Sequence, residues 1–181
     1  WISFGVLDPQ DYPGDSVGYL NGVVSQKHVA FNAYANSDGT TTGSFRAPGY
    51  GFDLKSAHLT AAWNDGLQVR VIGLAGGVAT YDNTFTLDTS GPRLVNFNYH
   101  GIDRVEFISY GGLPHGNPGS GGTQVAMDNL VISIPEPSTV SLLLFGTCLG
   151  WSVFKNGRGG KNLRDWLSWV YPLGRANRKQ L

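Results

Sequence analysis

The chain has 181 residues, of which only 14% are charged and 26 are glycine. So little charge excludes a solvated disordered chain and a long charged helix, and frequent glycine favours strands joined by tight turns. The net charge of zero hides a split: residues 1–154 hold six basic and twelve acidic side chains, residues 155–181 seven basic and one acidic. Phosphate recognition needs clustered Lys and Arg, so the acidic body excludes nucleic acid as its partner.

In chain order, short apolar runs separated by Gly, Asn, Asp and Ser predict strands at Ile2–Leu7, Val17–Val24, Val29–Tyr34, Gly43–Arg46, Gly51–Leu54 and Ala57–Trp63. They continue at Leu67–Leu74, Val78–Leu87, Arg93–Asn98, Arg104–Tyr110 and Val125–Ile134. In Leu67-Gln68-Val69-Arg70-Val71 and Arg104-Val105-Glu106-Phe107 the apolar side chains alternate, one face for a core and one for water. Asp38-Gly39 and Asn64-Asp65-Gly66 read as hairpin turns, as does Gly73-Leu74-Ala75-Gly76-Gly77. No capped helix is expected before residue 137. The pattern predicts an all-β fold, a jelly-roll-like β-sandwich over residues 1–134.

The glycine-rich stretch Gly111–Thr123, with His115 inside it, is either a lip beside a binding face or a hairpin connection. One cysteine, Cys148, leaves the body without a disulfide or a cysteine metal site. The chain opens on Trp1-Ile2-Ser3-Phe4, which reads as strand, and an export leader is expected upstream of it.

Past Ile134 the character changes. Pro135-Glu136-Pro137 cannot continue a ladder and favours an exposed, extended segment. Ser138-Thr139 stands where a helix N-cap would, and Val140 to Phe154 carries no charge. The seventeen residues from Ser138 to Phe154 make roughly 25 Å of helix, the short end of what crosses a bilayer core of about 30 Å. Lys155 and Arg158 flank its far side and favour the cytoplasmic leaflet. A single short C-terminal transmembrane helix is therefore expected, with a buried helix as the alternative. A basic, aromatic tail at 159–181 follows.

The order Pro135-Glu136-Pro137-Ser138-Thr139, apolar helix, basic end resembles the PEP-CTERM sorting signal, here spanning 135–158. The resemblance implies export through the secretion machinery, a transient membrane anchor, and handling by an exosortase near the Pro-Glu-Pro motif. Tails of that family usually stop soon after the basic cluster, whereas this chain continues through Leu163 to Tyr171. The blocks Val24–Asn32, Leu59–Leu67 and Ala126–Leu130 also resemble exported PEP-CTERM proteins with a jelly-roll-like domain. That likeness implies a fold and an address at the cell surface or outside it. It implies no chemistry.

Asp128 lies inside the apolar strand Val125–Ile132, where a carboxylate needs a partner or a cation. By analogy with galactose-binding-like jelly rolls, which often place a last-strand aspartate at a structural calcium, Asp128 would hold one with Asp8 and Asp11 as the candidate further ligands; otherwise Asp128 points outward or accepts backbone N–H groups. No Gly-x-Ser-x-Gly elbow and no His-Glu-x-x-His spacing exists. His28, His58, His100 and His115 are scattered. Asp65, Asp103 and Glu106 are the carboxylates available for glycoside hydrolysis, with turn chemistry the simpler account of Asp65 and strand alternation that of Glu106. Trp63, Tyr50, Tyr81, Tyr99 and Tyr110 supply rings for sugar stacking or for the core. The sequence thus points to a non-catalytic exported surface or matrix protein that contacts exopolysaccharide. A secreted carbohydrate-active hydrolase and a purely structural surface component are the alternatives.

Overall fold

The computed structural model describes residues 1–11, 17–35, 42–47, 49, 51–116 and 121–135. Its strands are β1 (Phe4–Leu7), β2 (Val29–Asn32), β3 (Thr42–Arg46), β4 (Phe52–Ala61), β5 (Asn64–Asp65), β6 (Leu67–Ala75), β7 (Val78–Leu87), β8 (Arg93–Ile102), β9 (Arg104–Tyr110), β10 (Leu113–Pro114) and β11 (Val125–Ser133). A 3-10 turn (Pro9–Asp11) and one short helix, α1 (Val17–Asn21), complete the described elements. Paired neighbours run antiparallel throughout, in a five-stranded sheet ordered β1-β2-β11-β4-β8 and a four-stranded sheet ordered β3-β9-β6-β7.

The core lies between these sheets, as an all-β sandwich requires. Leu54, Ala57, Leu59, Val95, Phe97 and Tyr99 from one face Leu67, Val69, Val71, Val105 and Phe107 from the other. Two polar ties cross it. Asn32 Nδ2 donates to Ser109 Oγ at 2.7 Å while its Oδ1 accepts from Val125 N at 2.6 Å. The Tyr99 hydroxyl lies 3.1 Å from the Val71 carbonyl oxygen and 2.8 Å from Asn83 Oδ1. Its ring stacks on Tyr81 with centroids 4.5 Å apart and passes beneath Gly73, where a Cβ would lie 2.9 Å from it. Burial, with the Asp82 charge behind it, pushes the Tyr99 phenol up to about 12, so it stays a neutral donor.

One seam is closed by the N-terminal residues. Ile2 exchanges backbone hydrogen bonds with Ser44 of β3, and two residues later β1 pairs with β2 of the other sheet. Ser3, with φ of +58°, makes the change of direction between them.

The strands at Val78–Leu87 and Arg104–Tyr110 fall where the sequence predicts them, and Gly76-Gly77 forms the β6–β7 hairpin with φ of +58° and +81°. Three expectations need correction. Val17–Val24 is a helix and a loop, not a strand, because Gly18 and Gly22 let this segment lie against the end of β4. A Cβ on Gly18 would sit 1.8 Å from the Ala61 carbonyl oxygen. Gly51–Leu54 and Ala57–Trp63 are one strand, β4, whose pairing with β8 slips between Leu54 and Ser56. The slip resets the inward phase, so Leu54 and Ala57 are both buried although three residues apart. Asn64-Asp65-Gly66 is not a hairpin turn, since β4 and β6 belong to different sheets; Asn64-Asp65 pairs with Leu113-Pro114 instead. Asp38-Gly39, Glu136, Pro137, the Ser138–Phe154 helix, Lys155, Arg158 and the 159–181 tail lie outside the described residues. Among the described residues no helix is long and apolar enough to cross a membrane.

Replacing Gly73 by Ala should cost about 1–3 kcal/mol, because the methyl group meets the Tyr99 ring in a packed interior. Gly91→Ala, where a methyl group meets nothing, should stay within about 0.5 kcal/mol. Urea melts of the two variants measure the difference, and equal midpoints would refute the Tyr99 tie.

Candidate functional site

The two sheets differ in what they show to water. On the five-stranded sheet, α1 lies against the outer surface: Tyr19 packs with Phe31, Ala62, Trp63 and Ala126 in a second, smaller core. The segment after α1 is fastened by Asp128. Its Oδ2 accepts from the backbone N–H of Val24 and of Ser25, both at 2.7 Å. Its Oδ1 accepts from Ser25 Oγ at 2.6 Å and from Asn129 N at 2.7 Å. Burial pushes the carboxyl up, but the bonds from Ser25, Val24 and Asn129 together bring it below its ordinary value.

The other carboxylates expected to share a calcium with it have their own surroundings. Asp8 Oδ1 accepts from Gln10 N, its Oδ2 meets Lys27 Nζ at 3.2 Å, and Asp11 ends the 3-10 turn. Among the described residues no group of three or more His, Cys, Asp or Glu gathers as a metal centre. A cation at Asp128 would have to displace four protein donors.

Asn64 and Asp65 form a hub at one end of the sandwich. Asn64 Nδ2 donates to the Gly111 carbonyl and its Oδ1 accepts from Gly122 N, so one side chain pins both ends of the glycine-rich loop. Asp65 Oδ1 accepts from the backbone N–H and hydroxyl of Thr89, while its Oδ2 lies 2.7 Å from His115 Nδ1. The Thr89 amide, then His115 and the Thr89 hydroxyl, lower the Asp65 carboxyl to about 2. His115 is additionally held by its backbone N–H on the Trp63 carbonyl. The partners are 24 and 50 residues from Asp65, and no motif spacing signals such a meeting.

The four-stranded sheet turns a polar face outward. Register places Tyr110, Gln68 and Thr86 in one row across β9, β6 and β7, then Ile108, Arg70 and Thr84, then Glu106, Ile72 and Asp82. At the far end Arg104 stands opposite both Leu74 and Arg46. The side chains are pre-arranged. Arg70 grips Asp82 with Nε on Oδ1 at 2.8 Å and its second nitrogen on Oδ2, lowering that carboxyl. Gln68 and Thr86 are joined at 3.1 Å, and Arg104 meets Glu106 at 2.7 Å.

Of the rings considered for stacking, Tyr99 is buried, Tyr81 lies against it and Trp63 is half-buried under Tyr19. Tyr110, 37% exposed, is on the outward face, and Tyr50 lies outside the described residues. Of the carboxylates considered for hydrolysis, Glu106 is on this face, Asp65 is in the hub, and Asp103 accepts from Gly76 N at the β6–β7 turn. The structure does not bring the three together in one hydrogen-bonded group.

No model of a known protein family matches the chain, and no curated protein matches it. One solved structure it is similar to, described as "CBM4 structure and function", superposes with a TM-score of 0.38 at 14% identity, over 73% of this chain and 86% of that one. A TM-score of that size does not establish a shared topology.

Asp128 and Asp65 both have folded-state values below the ordinary carboxylate value of about 3.9. Their bonds therefore contribute fully above that value and are lost as pH falls through the lowered one. Urea midpoints should hold steady from about pH 7 to 5 and fall between about pH 4 and 2. Asp128→Asn, which faces N–H donors with an amide, should cost about 1–3 kcal/mol at neutral pH and flatten the acid limb. An acid limb unchanged in the variant would contradict the Asp128 fastening.

Proposed function

We infer that this chain is an exported, non-catalytic surface or matrix protein whose sandwich binds polysaccharide on the outward face of the four-stranded sheet. Delivery is by the PEP-CTERM-like segment at 135–158, read by an exosortase, with a membrane anchor held at least transiently before the body reaches the cell surface. The observation that carries the binding reading is the three adjoining rows Tyr110-Gln68-Thr86, Ile108-Arg70-Thr84 and Glu106-Ile72-Asp82. A sugar ring offers an apolar C–H face that an aromatic side chain can cover, and hydroxyls that planar amide, guanidinium and carboxylate groups can orient. The row supplies these types together, already fixed by Arg70–Asp82 and Gln68–Thr86, so little side-chain freedom remains to be lost on binding.

A hydrolytic reading is weaker on the same ground. Glycoside cleavage needs one carboxyl raised in pKa so that it carries a proton to the leaving oxygen. Of the carboxylates proposed for that work, Asp65 is shifted downward by its donors, Glu106 is paired with Arg104 and Asp103 accepts from Gly76 N; Asp82 is held ionised by Arg70. The reading does not require calcium.

Full-length protein on a glycan array should retain at least one polysaccharide class without releasing products. Tyr110→Ala and Gln68→Ala should each weaken that binding about tenfold while leaving the melt unchanged. Absence of glycan binding, or indifference to both substitutions, would overturn the assignment. In a host carrying an exosortase, Glu136→Ala should leave a longer, membrane-retained form; processing identical to the parent would count against the sorting segment.

A further inference from the structure

The geometry points to an anionic polysaccharide, one bearing carboxylates such as uronate residues, as the ligand of the outward face. The inference rests on the sheet-face reading above and names the substrate class it left open.

The argument begins with Arg46. The other cations of the described body have partners: Lys27 on Asp8, Lys55 on Asp53, Arg70 on Asp82, Arg104 on Glu106, and Arg93 on the Thr86 carbonyl. Arg46 is exposed and has no such partner among the described residues, and it stands directly across the ladder from Arg104. Like charges directly opposite each other on one sheet face destabilise a strand pair. Here Glu106 takes up the Arg104 charge, which leaves Arg46 without a carboxylate partner among the described residues. A body with six basic side chains against twelve acidic ones thus holds one exposed cation uncommitted on this face.

A ligand carboxylate laid beside Arg46 pairs that charge and is gripped as a planar fork by guanidinium, which an ammonium cannot do equally well. Arg70 continues the same face toward Tyr110. From Arg104 to Tyr110 is six residues, a track of roughly 20 Å at about 3.4 Å per residue. That length suits a polymer segment with repeated acid groups better than one small anion. The face carries three arginines and two carboxylates, so it is locally positive on an acidic body.

The test uses the full chain and named probes in a biosensor: oligogalacturonate, its methyl ester, a neutral β-glucan, and a single-stranded DNA oligomer of matched charge. Oligogalacturonate should bind at least about tenfold more tightly than its methyl ester, and the preference should shrink in about 0.5 M salt. Arg46→Gln should abolish the preference while leaving the melting midpoint unchanged, since Arg46 is exposed and holds no partner among the described residues. Arg46→Lys should restore part of it.

Equal, Tyr110-dependent binding of acid and ester, or of the neutral glucan alone, would overturn the anionic assignment and leave polysaccharide binding standing. Equal binding of the DNA oligomer would reduce the arginines to a general anion patch and overturn it too. A lowered midpoint in Arg46→Gln would mark a structural role instead. Binding of none of the glycans would remove the sheet-face reading itself.

Discussion

Tyr99 sets the relation between the two sheets. Its ring occupies the space that a side chain on Gly73 would take, and its hydroxyl reaches the Val71 carbonyl of the opposite sheet. This ties β8 to two alternate positions of β6. Because strand side chains alternate, fixing Val71 and Gly73 inward fixes Gln68, Arg70 and Ile72 outward. A slip of one residue would bury the Arg70 guanidinium and expose Val69 and Val71, at a cost no surface contact could offset. The composition of the outward face is therefore a consequence of packing on the inward one.

The five-stranded sheet is closed by a different device. Its outer surface carries Ala126, Asp128 and Thr60, all nearly buried, because α1 and the segment after it lie there. The Asp128 carboxylate stands where strand alternation points away from the core, yet it makes four hydrogen bonds instead of meeting water. The covering stops there: Leu94 and Val131 of the same sheet are exposed. At one end Asn64 and Asp65 hold the backbone at Gly111 and Gly122 and fasten Thr89 and His115.

Most strands were legible because alternation of apolar and polar residues is a local signal. Leu67–Val71 and Arg104–Phe107 carry it without interruption. It failed where the backbone changes phase. The slip at Leu54/Ser56 split one strand into two apparent ones, and β8 was cut short at Asn98, whose φ is +53°. The Val17–Val24 segment shows apolar residues at strand spacing, but its fate depends on Gly18 meeting the Ala61 carbonyl, a contact 43 residues away. The site was legible only in part. Arg70 and Glu106 could be placed outward from their own strands; Tyr110 could not, because Ile108-Ser109 breaks the alternation before it, and the rows depend on the order β3-β9-β6-β7. Asp65 looked like a turn residue because its partners, Thr89 and His115, are distant in sequence.

The acidic character of the body bears on what its positive face can do. Charges farther apart than about 8 Å are largely screened at physiological salt, and packed sheets lie about 10 Å apart. Asp53 and Asp128, on the far sheet, therefore contribute little to the potential above Arg46 and Arg104, and each is already engaged by its own donors. What an approaching chain senses there is local: Arg46 beside the Arg104–Glu106 pair at one end, an Arg70–Asp82 pair in the middle and a phenol ring at the other. The surrounding negative charge still acts at longer range in dilute buffer, where it repels a polyanion as a whole. Salt has two opposed effects on such a ligand, weakening the contact with the arginines while shielding the body, and the balance between them is set by how tightly the carboxylate is held.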